Sequence, residues 1–351
     1  MAESKRAGRA TRPRIVVIGA SAGGIEPLMR IASGLPDDLD AAVFVVVHVP
    51  PSSQSVLPRV LKRAGRLDAS HAAQSEPIRR GRIYVAPPDR HMLIEDGMVL
   101  TRRGPLENRS RPAIDPLFRT AARAHGDMVI GVILSGSLDD GAAGMAEVRR
   151  SGGVGIVQDP AEAIYPSMPT SALRESAVDY CLPADEIAPT IERLVRERSE
   201  QMTSDQRRDA QSSAATEESM DAQRGAVMPD SERAGIPAAF GCPDCGGSLW
   251  QLDDGEILTF RCRVGHAYTP RILLDAQGAN VETGLWQAVR ALEEQASLAA
   301  RLAARSLEDG QTQSADRFSQ QATRATADAQ TVRGLLSAEP AVTDLDGAIG
   351  A

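Results

Sequence analysis

Ile15–Gly24 reads IVVIGASAGG, an apolar run that ends in a glycine-bounded turn with Ser21 at its apex. Gly19-Ala-Ser21-Ala-Gly23 fits the G-x-S-x-G arrangement, in which a strand bends sharply into a helix and leaves a serine hydroxyl exposed. Small neighbours let a substrate approach, and the N–H groups opening the next helix can stabilise an oxyanion. Such a serine needs a base and an acid to orient that base.

The competing reading of this turn is a dinucleotide loop, which wants G-x-G-x-x-G and an acidic residue closing the second strand. Here Ser21 replaces the middle glycine, and the run Val43–Val47 ends in His48. Both departures favour a hydrolase. In a parallel sheet the carboxyl ends of neighbouring strands share one edge, so Ser21 and His48 are expected to meet there. An acid is expected after the strand Met128–Ser135, in Gly136-Ser137-Leu138-Asp139-Asp140-Gly141. Spacing leaves the choice between Asp139 and Asp140 open, and either also suits a helix N-cap. The order Ser, His, Asp differs from that of the α/β-hydrolases.

Outward from this turn, apolar strands alternate with helical patterns up to residue 198. Strands are expected at Arg14–Ala20, Ala42–Val49, Met128–Ser135, Gly153–Gln158 and Val178–Leu182. Arg82–Pro87 and His91–Arg102 contain a hairpin turning at Glu95-Asp96-Gly97. Helices are expected at Gly24–Gly34, Ser55–Ala64, Pro112–His125, Ala142–Ser151 and Glu186–Arg198. The fold class is α/β, a doubly wound, mostly parallel, Rossmann-like sheet with a β-hairpin insertion. Cys181 is expected to be buried among apolar neighbours.

The motifs IGASAGG (18–24), VVHVPP (46–51), IYVAPPDRHM (83–92), NRSRPAIDPLF (108–118), GVILSGSLDDGAAGM (131–145) and SMPTSA (167–172) follow one another along the chain. Together they resemble the catalytic domain of the CheB-type chemotaxis methylesterases over about residues 14–196. The resemblance implies Ser21 as nucleophile, His48 as general base and Asp140 as orienting acid, because the family's acid directly precedes the glycine of the D-G-A-A-G run. It implies demethylation of γ-glutamyl methyl esters on methylated chemoreceptors, with deamidation of glutamine as related acyl chemistry and no cofactor for catalysis. Backbone N–H groups of Ala22 and Ser137 would hold the oxyanion. Ala22 stands where the family has threonine. Leu138 and Asp139 stand where it has glycine and asparagine, the latter bringing an extra carboxylate toward the imidazole. Family members usually carry an N-terminal receiver, which the 13 residues before the first strand do not supply.

Beyond residue 198 the composition changes. Residues 199–237 read as a polar linker. In the segment 238–275, Cys242-x-x-Cys245 and Cys262-x-x-x-His266 offer four ligands in a Cys3His pattern, which predicts a closed structural zinc site without an open catalytic position. At 281–338, Leu285, Val289, Leu292, Ala296, Ala299 and Ala303 step at helical spacing, as do Phe318, Ala322, Ala325, Ala329, Val332 and Leu336. Glu308-Asp-Gly310 separates them, so a helical hairpin is expected, with self-association or docking through its outer faces. Residues 1–13 read as a basic disordered arm and 339–351 as a tail.

The 351 residues are 42% hydrophobic but only 3% aromatic, so the core is aliphatic. A net charge of −8 argues against nucleic acid as partner. No apolar run approaches the ~18 residues of a membrane span, so no membrane insertion is expected. The basic arm lacks the apolar stretch of a secretory signal, which makes the expected location cytoplasmic. The alternatives are an esterase or amidase acting on another substrate, and a non-catalytic signalling scaffold.

Overall fold

A computed structural model describes residues 14–51, 55–197, 235–253 and 258–337. The expected arm, most of the linker and the tail lie outside the described residues. Seven strands form a sheet whose pairings are all parallel. In chain order they are β1 (Arg14–Ala20), β2 (Ala41–Val47), β3 (Asp68–His71), β5 (Arg82–Val85), β8 (Val129–Ile133), β9 (Val154–Gln158) and β10 (Tyr180–Leu182), arranged 10-9-8-1-2-5-3. Every residue of β1 and β2 is buried, as expected for central strands covered on both faces.

The alternation along β1 divides the core in two. Val16, Ile18 and Ala20 pack with α1 (Ile25–Gly34), α2 (Leu57–Ala64) and a helix over 184–197, α6. Ile15 and Val17 face α3 (Ile114–His125), α4 (Ala142–Arg150) and α5 (Ser167–Glu175). The chain winds from β1 toward β2 on one side and later returns to place β8 on the other. That reversal makes the carboxyl edge of β1 and β8 the switch point where doubly wound sheets form their clefts.

A small antiparallel sheet joins β4 (Glu76–Pro77), β7 (Met98–Arg102) and β6 (His91–Glu95), with Asp96 and Gly97 in the left-handed turn of the expected hairpin. Two elements of the large unit carry no clear sequence signal. The edge strand β3 reads DASH and has no apolar run. Helix α5 opens on Ser-Met-Pro, with proline tolerated in the first turn, and buries Met168 and Ala172. Cys181 is exposed rather than buried. It sits on edge strand β10, where no further strand continues the sheet.

A third, antiparallel sheet runs β11 (Ile236–Gly241), β12 (Ser248–Asp253), β13 (Leu258–Cys262) and β14 (Ala267–Tyr268). It belongs to the same compact unit as the large sheet, which extends to Leu273. A second unit begins at Leu274 and holds most of α7 (Pro270–Glu308) and all of α8 (Thr312–Ser337). The expected seam residues of both helices are buried or half-buried, and Arg333 pairs with Glu293 across them at 2.6 Å. Helix α7 starts well before residue 281, where Thr269-Pro270 supplies a hydroxyl cap and a proline at the first position. Among the described residues no helix is long and apolar enough to cross a membrane.

Candidate active site and metal centre

Ser21 and His48 each follow directly on the last residue of a paired strand. Ala20 lies opposite Val47 in the β1–β2 register, and the His48 N–H donates to the Ala20 carbonyl at 3.2 Å. The two side chains therefore leave the same edge of the sheet, with 3.1 Å between Ser21 Oγ and His48 Nδ1. Gly23 holds φ +71°, a left-handed conformation that glycine adopts without a Cβ clash, and this turns the chain into α1. The Ser21 N–H donates to the Ser135 carbonyl at 3.0 Å, pinning the turn against the end of β8.

Asp140 arrives from the loop between β8 and α4. Its Oδ2 lies 2.7 Å from His48 Nε2 and accepts the Ile114 N–H at 2.7 Å. Its Oδ1 accepts from Asn108 Nδ2 at 2.8 Å and from the Asp115 N–H at 3.3 Å. Burial opposes the charge on Asp140. The hydrogen bond and electrostatic attraction of His48, with the donors from Ile114 and Asn108, outweigh that burial and bring the carboxyl below its ordinary range. Asp115 moves the other way, pushed well up by burial and then by the charge on Asp140. With a carboxylate at Asp140, an imidazole proton on Nε2 would point at Oδ2 and the Nδ1 lone pair would accept from Ser21. Chymotrypsin uses the two ring nitrogens in the opposite sense, but an imidazole can relay a proton either way.

The loop carrying Ser137 lies against Ser21. A Cβ added at Gly136 would sit 2.9 Å from Ser21 Cβ, so only glycine permits this approach. Met168 of α5 closes the loop from the other side, its N–H donating to the Gly136 carbonyl at 3.0 Å. Ala22 is exposed at the start of the turn. Ile164 and Tyr165 stand beside Gly23 and are both exposed, giving the serine an apolar flank.

The motif around residue 108 contains polar residues whose partners only the fold reveals. Asn108 is buried and donates to both Asp115 Oδ2 and Asp140 Oδ1, each at 2.8 Å. Asp115 Oδ1 accepts the N–H groups of Gly141 and Gly144, at 3.0 and 2.7 Å, tying α3 to the start of α4. An Asn and an Asp seven residues apart in one motif gave a signal of polar function. Their partners lie in a distant loop and required the fold. Asp139, expected to approach the imidazole, makes its hydrogen bond to Thr269 Oγ1 at 2.8 Å instead.

Cys242, Cys245, Cys262 and His266 come together with all four ligand atoms within 4.8 Å of one another, a group that could hold a metal ion. Each pair sits in a tight turn. The Cys242 N–H donates to the Gly247 carbonyl at 2.7 Å and the Cys262 N–H to the His266 carbonyl at 2.9 Å, with Gly246 and Gly265 at positive φ. Tyr268 packs beneath and donates to Asp244 at 2.6 Å.

Residues 16–191 match the family model described as CheB methylesterase. A putative protein-glutamate methylesterase/protein-glutamine glutaminase of Leptospira interrogans is 38% identical over 187 residues, which cover 53% of this chain and 97% of the relative. A protein-glutamate methylesterase/protein-glutamine glutaminase of Anaeromyxobacter dehalogenans is 40% identical, over 53% of this chain and 52% of its own length. The crystal structure of the Thermotoga maritima CheB methylesterase catalytic domain superimposes with a TM-score of 0.50 at 33% identity, covering 52% of this chain and 98% of that one. The matched residues are those that build the parallel sheet and its edge, and the chain belongs to the CheB methylesterase family.

Proposed function

We propose that this protein is a serine hydrolase that demethylates γ-glutamyl methyl esters on methylated chemoreceptors, with Ser21, His48 and Asp140 as its triad. The observation that carries the reading is the unbroken hydrogen-bond path from Ser21 Oγ through both ring nitrogens of His48 to Asp140. Ser21 Oγ attacks the ester carbonyl while His48 Nδ1 takes its proton. The N–H groups of Ala22 and Ser137 hold the resulting oxyanion. Collapse expels methanol, which recovers the proton from His48, and water then hydrolyses the acyl-enzyme to glutamate. Glutamine deamidation follows the same steps with ammonia leaving, which accords with the paired activities in the relatives' names. The exposed Ile164 and Tyr165 beside the turn suit a protein substrate, and a chemoreceptor's cytoplasmic region places the reaction in the cytoplasm.

The Cys3His group fits zinc. Tetrahedral zinc with Zn–S of about 2.3 Å and Zn–N of about 2.0 Å needs sulfurs about 3.8 Å apart and sulfur–nitrogen distances of about 3.5 Å. Cys245 and Cys262 Sγ are 3.7 Å apart, and His266 Nδ1 lies 3.6 and 3.5 Å from Cys242 and Cys262 Sγ. Four protein ligands leave no open position, so the ion has a structural role. The Ser21 site needs no cofactor.

Methanol release from methylated receptor membranes tests the activity. The full chain releases methanol and Ser21→Ala does not; equal release by both, or none by the wild type, overturns the reading.

A further inference from the structure

The Cys3His sheet is packed directly behind the acid of the triad. Asn108, whose amide holds Asp140, is itself held from that sheet: its N–H donates to the Ala267 carbonyl at 2.9 Å, and its Oδ1 accepts the Thr269 N–H at 3.2 Å. Both hydrogens of the amide group go to Asp115 and Asp140, so its oxygen finds its partner in Thr269 and the side chain is fully committed. Asn108 also adopts φ +50°, a left-handed conformation that asparagine accepts more readily than most residues.

The loop carrying Asp140 makes two further contacts with the same element. Thr269 Oγ1 donates to Asp139 at 2.8 Å while accepting the Ile272 N–H at 3.3 Å. Leu138, at φ +64°, packs its side chain onto the small core of Cys242, Leu249, Phe260, Cys262, Tyr268, Ile272 and Leu273. Leu138 and Asp139, the two residues before Asp140, thus both touch the Cys3His element. A leucine in a left-handed conformation is unfavourable by itself, and the apolar surface it covers supplies the compensation.

We propose that the Cys3His element is part of the catalytic apparatus. Thr269 and Ala267 fix Asn108, Asn108 fixes Asp140, and metal bound by the four ligands thereby sets how well Asp140 orients His48. Thr269 and Asn108 are positioning residues, acting on the reaction only through Asp140. Thr269 stands three residues after His266, close enough that ordering the metal turn orders its N–H and hydroxyl. The proposal rests on the triad reading above for its kinetic consequence, whereas its structural consequence, a change at His48, does not depend on the substrate.

The test uses the full chain with selectively 15N-labelled histidine, its zinc content measured, before and after chelation and after return of Zn2+. Metal removal shifts the His48 ring resonances and lowers kcat for methyl ester hydrolysis about tenfold at little-changed KM, and Zn2+ restores both. Thr269→Val keeps the N–H to Asn108 but removes the hydroxyl that holds Asp139, next to Asp140, and caps α7. It gives the same two effects in smaller measure with zinc retained, and Thr269→Ser, which keeps the hydroxyl, does not, so the pair keeps the test decisive if the metal-free protein unfolds. Unchanged His48 resonances and kcat in both the zinc-free protein and Thr269→Val overturn the proposal. Zinc-loaded wild type that hydrolyses no methyl ester overturns the esterase reading instead, and the His48 resonances then still decide the coupling.

Discussion

The large parallel sheet and the small antiparallel one solve the problem of holding a functional group in different ways. Ser21 and His48 stand just past the ends of β1 and β2, strands buried along their full length between two apolar cores. The antiparallel sheet has an outer strand, β11, whose residues are mostly exposed, and a core built around two of its own cysteines. A sheet covered on both faces keeps its geometry by apolar burial. A small module with so little to bury gains most from metal ligation, and under the zinc assignment proposed above it would depend on it. The proposed nucleophile and base thus rest on a self-sufficient scaffold, whereas the loop of the proposed acid leans on a conditional one.

The largest effect should come from Ser21→Ala, which is expected to reduce kcat by about 10^4- to 10^6-fold while leaving zinc content and folding unchanged. Asp140→Asn should follow, at about 10^4-fold, because a neutral amide neither holds the imidazole in the required tautomer nor stabilises the imidazolium. The pH–rate profile of the residual activity would show whether the base has changed.

The comparison itself is sharpened by stability measurements. Phe44 is fully buried and stacks on Tyr84 at 5.0 Å, so Phe44→Ala should cost about 3–5 kcal/mol with or without zinc. Zinc removal should instead alter the fluorescence of Trp250, on β12, in a Trp286→Phe background. A Phe44→Ala penalty that depends on zinc would break the distinction between the two sheets.

Asp139 gives the smallest effect and a defined pH window. Burial first, then the charges of Glu175 and Asp140, against help from the Thr269 hydrogen bond and Arg271, raise its carboxyl to about 6. A raised carboxyl favours the folded state most when protonated, so this contribution is full below about pH 4 and is lost as pH rises through 6. Ionised Asp139 then costs stability on the order of 3 kcal/mol at pH 8. Asp139→Asn should therefore resist urea better than wild type at pH 8, with the gain shrinking toward pH 4. An equal difference at both pH values would exclude a titrating Asp139 as the cause.

The parts legible in the sequence were those governed by local periodicity. Continuous apolar runs marked β1, β2 and β8, and the glycine-bounded serine marked the turn. The alanine steps from Leu285 to Ala303 marked a helix seam. What stayed hidden depends on partners far away in the chain. β3 is a polar edge strand that forms only because β5 offers a ladder. Cys181 is exposed because β10 ends the sheet. Asn108 and Thr269, 161 residues apart, are joined only once the fourth-ligand turn docks beside α3. Asp139 could be seen as an additional carboxylate, but the direction it points is set by Thr269.

The most direct test is the intact mass of the full chain after exposure to a fluorophosphonate. The relay at the sheet edge predicts a single adduct mapped to Ser21, formed at a rate that collapses in His48→Asn and Asp140→Asn. A chain that stays unlabelled, or labels equally well without His48, would contradict it.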